Sequence, residues 1–545
     1  MYPADSGESS CRFSRYSLLS FPVQSLTVLL LAAAVRFWLC WQPACIDRNG
    51  VQFIEYARQI GADPVAAMQT TTRQPGFAVA LLATHGALGP LFGGDDPESY
   101  QRCGELLAFV GGVATCGVVH LLAWRLFSPA VALYAGLLVV LWPHGAHMSA
   151  GVLSDMPHLA LYLLGIVVAH RAIQQSRWGR MALFGLVAGL AYLIKQEALG
   201  LLAAGVIAWS WPGSRRTART RIGGTIAGLA CFVAIVSPHA ILVGDLMPNK
   251  SPIDALEHLA LGGGGATVSA MFAYVVPWWQ TPGRLVEDWS RSGRYVISTL
   301  FLLGLFLKSS PRAEPTGKRL VLMVVAIHLL LVQARTIAYG ESSERYAAIP
   351  LALSIPWAAA GLQTILGLAM TRFGKWDVGR ISIIHAAGFA LVVAPLIWYL
   401  AQPVYGHKLH YRQAGLWLRG AAHGDDTILA HRNLEQIMFY AGRTYPATSW
   451  IRCERSDSID QLASIIAERR PAWFVDARSS HRDRVDEAEH FSRLVGGALR
   501  PMAPVESFGD DATKIFVFRA TQTPRQDARR MIGPDPAGLH RDNRS

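Results

Sequence analysis

Trp41-Gln-Pro-Ala-Cys-Ile-Asp-Arg-Asn-Gly-Val-Gln-Phe-Ile-Glu-Tyr-Ala-Arg58 follows a long apolar run, and Thr72-Arg-Gln-Pro-Gly-Phe77 leads into the next one. A polar loop pinned between two apolar runs holds charge near a bilayer surface, because charge deep in the hydrocarbon is costly. Asp47 is the candidate general base of this loop and Arg73 a candidate phosphate contact. The plain alternatives are a solvated loop carboxylate and an arginine snorkelling to the interface.

Composition frames the loop. The 545 residues are 52% hydrophobic and 16% charged, and the mean hydropathy is +0.27. Soluble domains carry about 25% charged residues. Apolar runs of spanning length recur along the chain, so a multi-pass integral membrane protein is expected. The net charge of +12 raises nucleic acid as a partner. The Lys and Arg residues gather instead in short loops between apolar runs, so topology and membrane lipids account for the charge and no nucleic acid is implied. The seven cysteines form no Cys-x-x-Cys, which argues against a zinc ribbon or a dense disulfide framework. Cys40 and Cys45 are expected to be unpaired.

Residues 1–17 read as a polar cytoplasmic tail, and Leu18–Leu39 as an uncleaved signal-anchor helix. Phe53, Ile54, Tyr56, Ala57 and Ile60 have the spacing of an interfacial helix with its apolar side on lipid. Further runs lie at 77–92, 104–124, 129–148, 153–170, 181–194, 198–211, 222–243, 295–307, 320–334, 346–370 and 381–401. That gives about 11–13 spans. The division between 181–194 and 198–211 is the weakest. The basic loops Arg171–Arg180, Arg215–Arg221, Lys308–Arg319 and Arg372–Arg380 read as cytoplasmic. The N-terminus is then inside and the tail after residue 403 outside, which fits a plasma (inner) membrane. The expected organisation is a transmembrane domain over 18–402, with external loop 41–76, and a small extracytoplasmic α/β domain over 403–522. In the latter, Thr427–Ala430, Ala472–Val475 and Lys514–Phe518 read as strands, and 409–420, 433–441, 458–469 and 483–497 as helices. Residues 523–545 read as a disordered tail. The loop 244–290, with Gly262–Gly265 and Trp278-Trp279, reads as a lid or a plain linker.

Four further motifs bear on chemistry. Asp155, in Ser154-Asp155-Met-Pro157, opens an apolar run and is either catalytic or a helix cap. Lys195 and Glu197 interrupt an apolar stretch, as a short inter-span loop or as an intramembrane charge pair. Arg345-Tyr346 opens another span, to hold a phosphate or to pair with Glu341 or Glu344. His144 and His147 have metal-ligand spacing, but no third ligand is evident. No P-loop, Rossmann glycine pattern or nucleophile elbow is present, so no nucleotide cofactor is implied. A divalent metal stays open.

In this order the motifs resemble the GT-C-fold glycosyltransferases of membranes, nearest to family 39 with its protein O-mannosyltransferases and aminoarabinose transferases. The resemblance runs over roughly residues 18–400. It makes the fold mainly α, a GT-C-like polytopic bundle. It implies an acidic catalytic base in the first external loop, followed by an aromatic and a small residue, as Asp47, Phe53 and Ala57 are here. Where that family often has Arg-Asp-Gly, this chain has Arg48-Asn49-Gly50, so the role falls to Asp47 or to a shifted position. Arg73-Gln-Pro-Gly-Phe77 is similar to the family's basic-x-Pro-Pro segment, and Ser154-Asp155 to its second external acidic motif. The stretch Gly185–Glu197 and the Arg345-Tyr346…Pro350 segment are similar to two further motifs. The resemblance implies inverting transfer of a sugar from a polyprenyl-phosphate donor to a lipid, polysaccharide or protein acceptor at the outer face. Asp47 and Asp155 are then the catalytic carboxylates, and Arg73, Lys195, Glu197, Arg345 and Tyr346 bind substrate. The competing readings are a transporter or lipid flippase with a soluble domain, which would place charges deep in spans and show inverted repeats, and a catalytically idle scaffold.

Overall fold

In a computed structural model of the chain, the described residues are 20–42, 45–71, 73–211, 217–244, 279–306, 315–339, 343–372, 378–404, 406–444, 449–453, 464, 468–469, 471–479, 504–509 and 513–519. The expectations for 1–17, 483–497, 523–545 and Gly262–Gly265 fall outside them. The chain divides into two compact units. One holds Met1–Gln42, Gln59–Leu88 and Arg102–Pro403; the other holds Pro43–Arg58, Gly89–Gln101 and Val404–Ser545.

Helices dominate. In chain order they are α1 (Phe21–Trp41), α2 (Arg48–Ala62), α3 (Pro64–Thr70), α4 (Gly76–Phe92), α5 (Pro97–Leu126), α6 (Pro129–Val140), α7 (Pro143–Met148), α8 (Asp155–Gln175), α9 (Trp178–Ile194), α10 (Ala198–Ser210), α11 (Ala218–Val243), α12 (Thr281–Ser292), α13 (Val296–Phe306), α14 (Pro315–Tyr339), α15 (Ala348–Arg372) and α16 (Val378–Leu400). Among the described residues six helices are long and apolar enough to cross a membrane: α1, α5, α8, α11, α14 and α15; six shorter apolar helices accompany them. The chain is an integral, multi-pass membrane protein.

One boundary and one helix face differ from the sequence reading. The run 129–148, expected as one span, is α6 followed by the short α7. Proline disfavours helical backbone in the residue before it, and Trp142, ahead of Pro143, is extended with ψ 107°. The apolar side of α2, expected on lipid, is buried in protein: Phe53, Ile54, Tyr56, Ala57 and Ile60 are each at most 6% exposed. Conversely, α9 and α10 are separate helices, because Lys195 at the end of α9 is extended.

Glycines set the closest helix crossings in the first unit. A methyl on Gly185 of α9 would strike the backbone of Gly228 on α11, and one on Gly304 of α13 would strike that of Trp357 on α15. Small residues let backbones approach in a lipid setting, where no hydrophobic force drives helices together.

The second unit is α/β. It holds α17 (Leu409–Ala421) and α18 (Glu435–Tyr440), with strands β1 (Ile428–His431), β2 (Trp450–Cys453), β3 (Trp473–Ser479), β4 (Glu506–Gly509) and β5 (Thr513–Arg519). The sheet order is β2-β1-β3-β5-β4. β1 lies parallel to β2 and β3, and β5 antiparallel to β3 and β4. β1 is buried along its whole length, as a strand covered on both faces must be. The polar loop after α1, assigned from sequence to the transmembrane domain, groups with this unit from residue 43 to 58. Its bonds explain why. Ile46 N donates to Tyr440 Oη at 2.9 Å, Gln436 Nε2 donates to Ile46 O at 2.5 Å, Gln52 Nε2 donates to Glu435 at 2.8 Å, and Arg452 donates to Glu55 at 3.0 Å.

Candidate active site

The strongest polar constellation of the first unit gathers at the start of α8. Ser154 makes no side-chain cap, so the capping reading of Ser154-Asp155 fails for the serine. Asp155 is 5% exposed and its carboxylate is shared by two cations. Lys195 Nζ donates to Oδ1 at 2.7 Å. Arg345 donates through Nε to Oδ1 at 3.4 Å and through Nη2 to Oδ2. Two-point guanidinium–carboxylate pairing fixes orientation as well as charge. Formal charge over the three groups is +1.

Each partner is delivered by a break in the helices. α8 is seated against α5 by glycine: a methyl on Gly111 would fall 2.5 Å from Pro157 N. Lys195 leaves the helical path at the end of α9, and Glu197 stands at the N-terminus of α10. Arg345 sits in the turn before α15. There His328 of α14 meets Tyr346 O at 3.1 Å, and the Arg335 guanidinium lies 4.3 Å from the Tyr346 ring centre. Arg73 lies in the same unit. Its turn is pressed onto the end of α9, since a methyl on Gly76 would fall 2.6 Å from Leu193 O, two residues before Lys195.

A second layer surrounds Glu344. His144 Nδ1 lies 3.6 Å and Arg294 Nη1 4.0 Å from its carboxylate. Burial pushes the His144 imidazole down to about 3, with Arg345, Arg294 and His147 adding to the fall against the pull of Asp155. It is neutral at pH 7, so its contact with Glu344 is not an ion pair. Arg294 and Tyr295 both have left-handed backbone, with φ of 49° and 60°, a conformation that costs non-glycine residues energy and clusters at functional sites. Among the described residues no group of three or more His, Cys, Asp and Glu gathers as a metal site.

In the second unit, Asp47 opens α2. Its Oδ1 accepts from Asn49 N at 2.9 Å and from Asn49 Nδ2 at 3.0 Å. Asn49 thus holds the neighbouring carboxylate through both its backbone and its side-chain amide. Cys40 and Cys45 are free thiols.

The structure therefore brings Asp155, Lys195 and Arg345 into contact, with Tyr346 next to Arg345 and Glu197 two residues after Lys195 in the chain. Sequence reasoning missed Arg294, Glu344 as a contact of His144, and the interior groups His158, Tyr162 and His328. A signal existed for part of this: His158 and Tyr162 stand three and seven residues after Asp155, on one face of α8.

Comparison with known proteins decides the fold. Residues 101–242 match the family model described as dolichyl-phosphate-mannose-protein mannosyltransferase. ArnT from Cupriavidus metallidurans bound to undecaprenyl phosphate superposes with a TM-score of 0.54 at 13% identity, over 90% of this chain and 97% of that one. The chain has the GT-C fold. The oligosaccharyltransferase of Archaeoglobus fulgidus is similar too, with a TM-score of 0.53 at 12% identity, over 83% of this chain and 69% of that one. The same oligosaccharyltransferase tethered to an acceptor peptide gives a TM-score of 0.50 at 14% identity, over 87% and 72%. No curated protein matches the chain.

Proposed function

We propose that the chain transfers a sugar from a polyprenyl-phosphate-linked donor to an acceptor nucleophile at the outer face of the plasma (inner) membrane, with its N-terminus in the cytoplasm. The observation that carries this reading is the Asp155–Lys195–Arg345 cluster, a buried carboxylate that presents two cations with one positive charge in excess, within a GT-C fold. A polyprenyl-phosphate sugar is a phosphodiester of one negative charge, and its leaving group, the phosphomonoester, carries up to two. Groups that stabilise charge appearing in the transition state accelerate the step. ArnT, of the same fold, binds undecaprenyl phosphate.

In this reading Asp47 takes the proton from the acceptor hydroxyl or amine. The nucleophile attacks the anomeric carbon as the bond from that carbon to the phosphate oxygen breaks, and the configuration inverts. Lys195 and Arg345, with Arg73, take up the charge that develops on the departing phosphate. Both oxygens of Asp155 are occupied by cations, so its part is to hold Lys195 and Arg345 in register rather than to accept the proton. Glu197 and Tyr346 set the loops that present them. The test is release of labelled sugar from a polyprenyl-phosphate donor by the purified protein with an acceptor. Transfer by wild type and none by Asp47→Asn supports the assignment. Equal transfer by both removes Asp47 as the base, and donor movement across the bilayer without cleavage replaces the enzyme with a transporter.

A further inference from the structure

Below the ion-paired cluster, the bundle interior holds a second polar group that the reaction outlined above does not use. His158 and Tyr162 follow Asp155 on α8, and His328 faces them from α14. They are 3%, 0% and 1% exposed. The His158 and Tyr162 rings stand edge-on with centres 5.6 Å apart, and Tyr162 and His328 likewise at 6.2 Å. His158 Nε2, Tyr162 Oη and His328 Nδ1 are all buried and have no hydrogen-bond partner among the described residues. A buried polar atom without a partner costs about 1–3 kcal/mol, so three in one cluster imply something that binds them.

Their chemistry says what. His328 Nε2 meets the carbonyl oxygen of Tyr346 at 3.1 Å. A carbonyl only accepts, so Nε2 carries the hydrogen and Nδ1 is left as an acceptor. The Tyr162 hydroxyl both donates and accepts. This is the complement of a neutral hydroxyl group, which gives one hydrogen and takes another. The cations stand one level up, at Asp155. The Glu197 carboxylate is in electrostatic reach of all three groups, Lys195 reaches the two histidines, and Asp155 reaches His158. Neutral, mixed donor–acceptor groups recognise hydroxyls, as fixed cations recognise phosphate.

We propose that His158, Tyr162 and His328 form a subsite for hydroxyl groups of the donor's glycosyl unit, separate from the cations that take its phosphate. The proposal rests on the transferase reading. The other source of the same chemistry is trapped water, which also pairs buried polar groups.

The test is binding to the full-length protein in lipid nanodiscs, with two probe classes: undecaprenyl phosphate alone, and undecaprenyl phosphate carrying a hexosyl or pentosyl unit. Tyr162→Phe keeps the ring and loses the hydroxyl. It should weaken the best-binding glycosylated lipid about fivefold to tenfold and leave the bare lipid phosphate unchanged, whereas Arg345→Gln should weaken both. A donor lacking the recognised sugar hydroxyl should bind wild type and Tyr162→Phe equally. The thermal unfolding midpoint of each variant checks its fold, and His158→Leu repeats the test from a second residue. If Tyr162→Phe lowers the unfolding midpoint but leaves both affinities alone, the cluster holds water only and the proposal is overturned. Wild type binding the bare and glycosylated lipids equally also overturns it. Wild type binding neither probe overturns the transferase reading itself, a distinct result.

Discussion

Lys195 Nζ reaches Asp155 Oδ1 at 2.7 Å, joining the break between α9 and α10 to the first residue of α8. Arg345 grips the same carboxylate from the turn before α15. Three distant segments are thus held by one 5% exposed acid. Its removal leaves two cations side by side without the carboxylate that bridges them. Asp155→Asn should lower transfer by about 10²-fold or more and cost about 3 kcal/mol of stability, as loss of one member of a buried ion pair does. Thermal unfolding in detergent and donor turnover measure the two effects. An Asp155→Asn protein of wild-type stability would sink this account of the cluster.

Asp47 makes a sharper separation between fold and chemistry. Its Oδ1 closes the first turn of α2 onto Asn49, and asparagine caps a helix about as well as aspartate. Asp47→Asn should therefore keep the unfolding midpoint while the transfer rate falls about 10²- to 10⁴-fold, the usual share of a general base. Asp47→Ala should lose the rate and also about 1 kcal/mol of stability through the cap. Turnover against unfolding midpoint for the two variants decides between a base and a structural carboxylate.

The sequence carried the membrane helices and their order, because spanning runs must be apolar along their whole length. It also carried Asp155, Lys195 and Arg345 as charges at the ends of such runs. It did not carry their pairing. Asp155 and Arg345 are 190 residues apart, and a charge at a span end reads alike whether it meets water, lipid or another side chain. Arg294 escaped because its left-handed backbone has no mark in a sequence without glycine at that position. The strands β1, β3 and β5 stood out as buried apolar runs. β4 did not, since three of its four residues are exposed and it has no apolar pattern to read. The side of α2 was misjudged for a related reason: an apolar stripe fits lipid and protein equally well.

Gly76 tests the placement of Arg73. The close approach of its turn to Leu193 leaves no room for a side chain. Gly76→Ala should push the Arg73 turn away from the end of α9, at a cost of about 1–3 kcal/mol from overpacking. Transfer should fall with it, and Arg73→Ala added to Gly76→Ala should cost little more. Fully additive rate losses in the double variant would show that Arg73 acts independently of this contact.

Glu55 gives the second unit a pH dependence. Its carboxyl, from an ordinary 4.5, is pushed up to about 7, chiefly by burial, with Arg452 pulling it down and Glu435 pushing it further up. The folded protein therefore keeps a proton that the unfolded chain has already lost between these values. The stability tied to that proton is complete below pH 4.5 and is lost as pH rises through about 7. The full difference is about 3 kcal/mol. Glu55→Gln resembles the protonated form at every pH. Relative to wild type, its unfolding midpoint should be similar at pH 5 and higher at pH 8. Because Arg452 is 40% exposed, losing its bond to a charged Glu55 subtracts little. Thermal unfolding of both proteins across pH 5–8 is the measurement, and parallel curves would remove Glu55 as the titrating group.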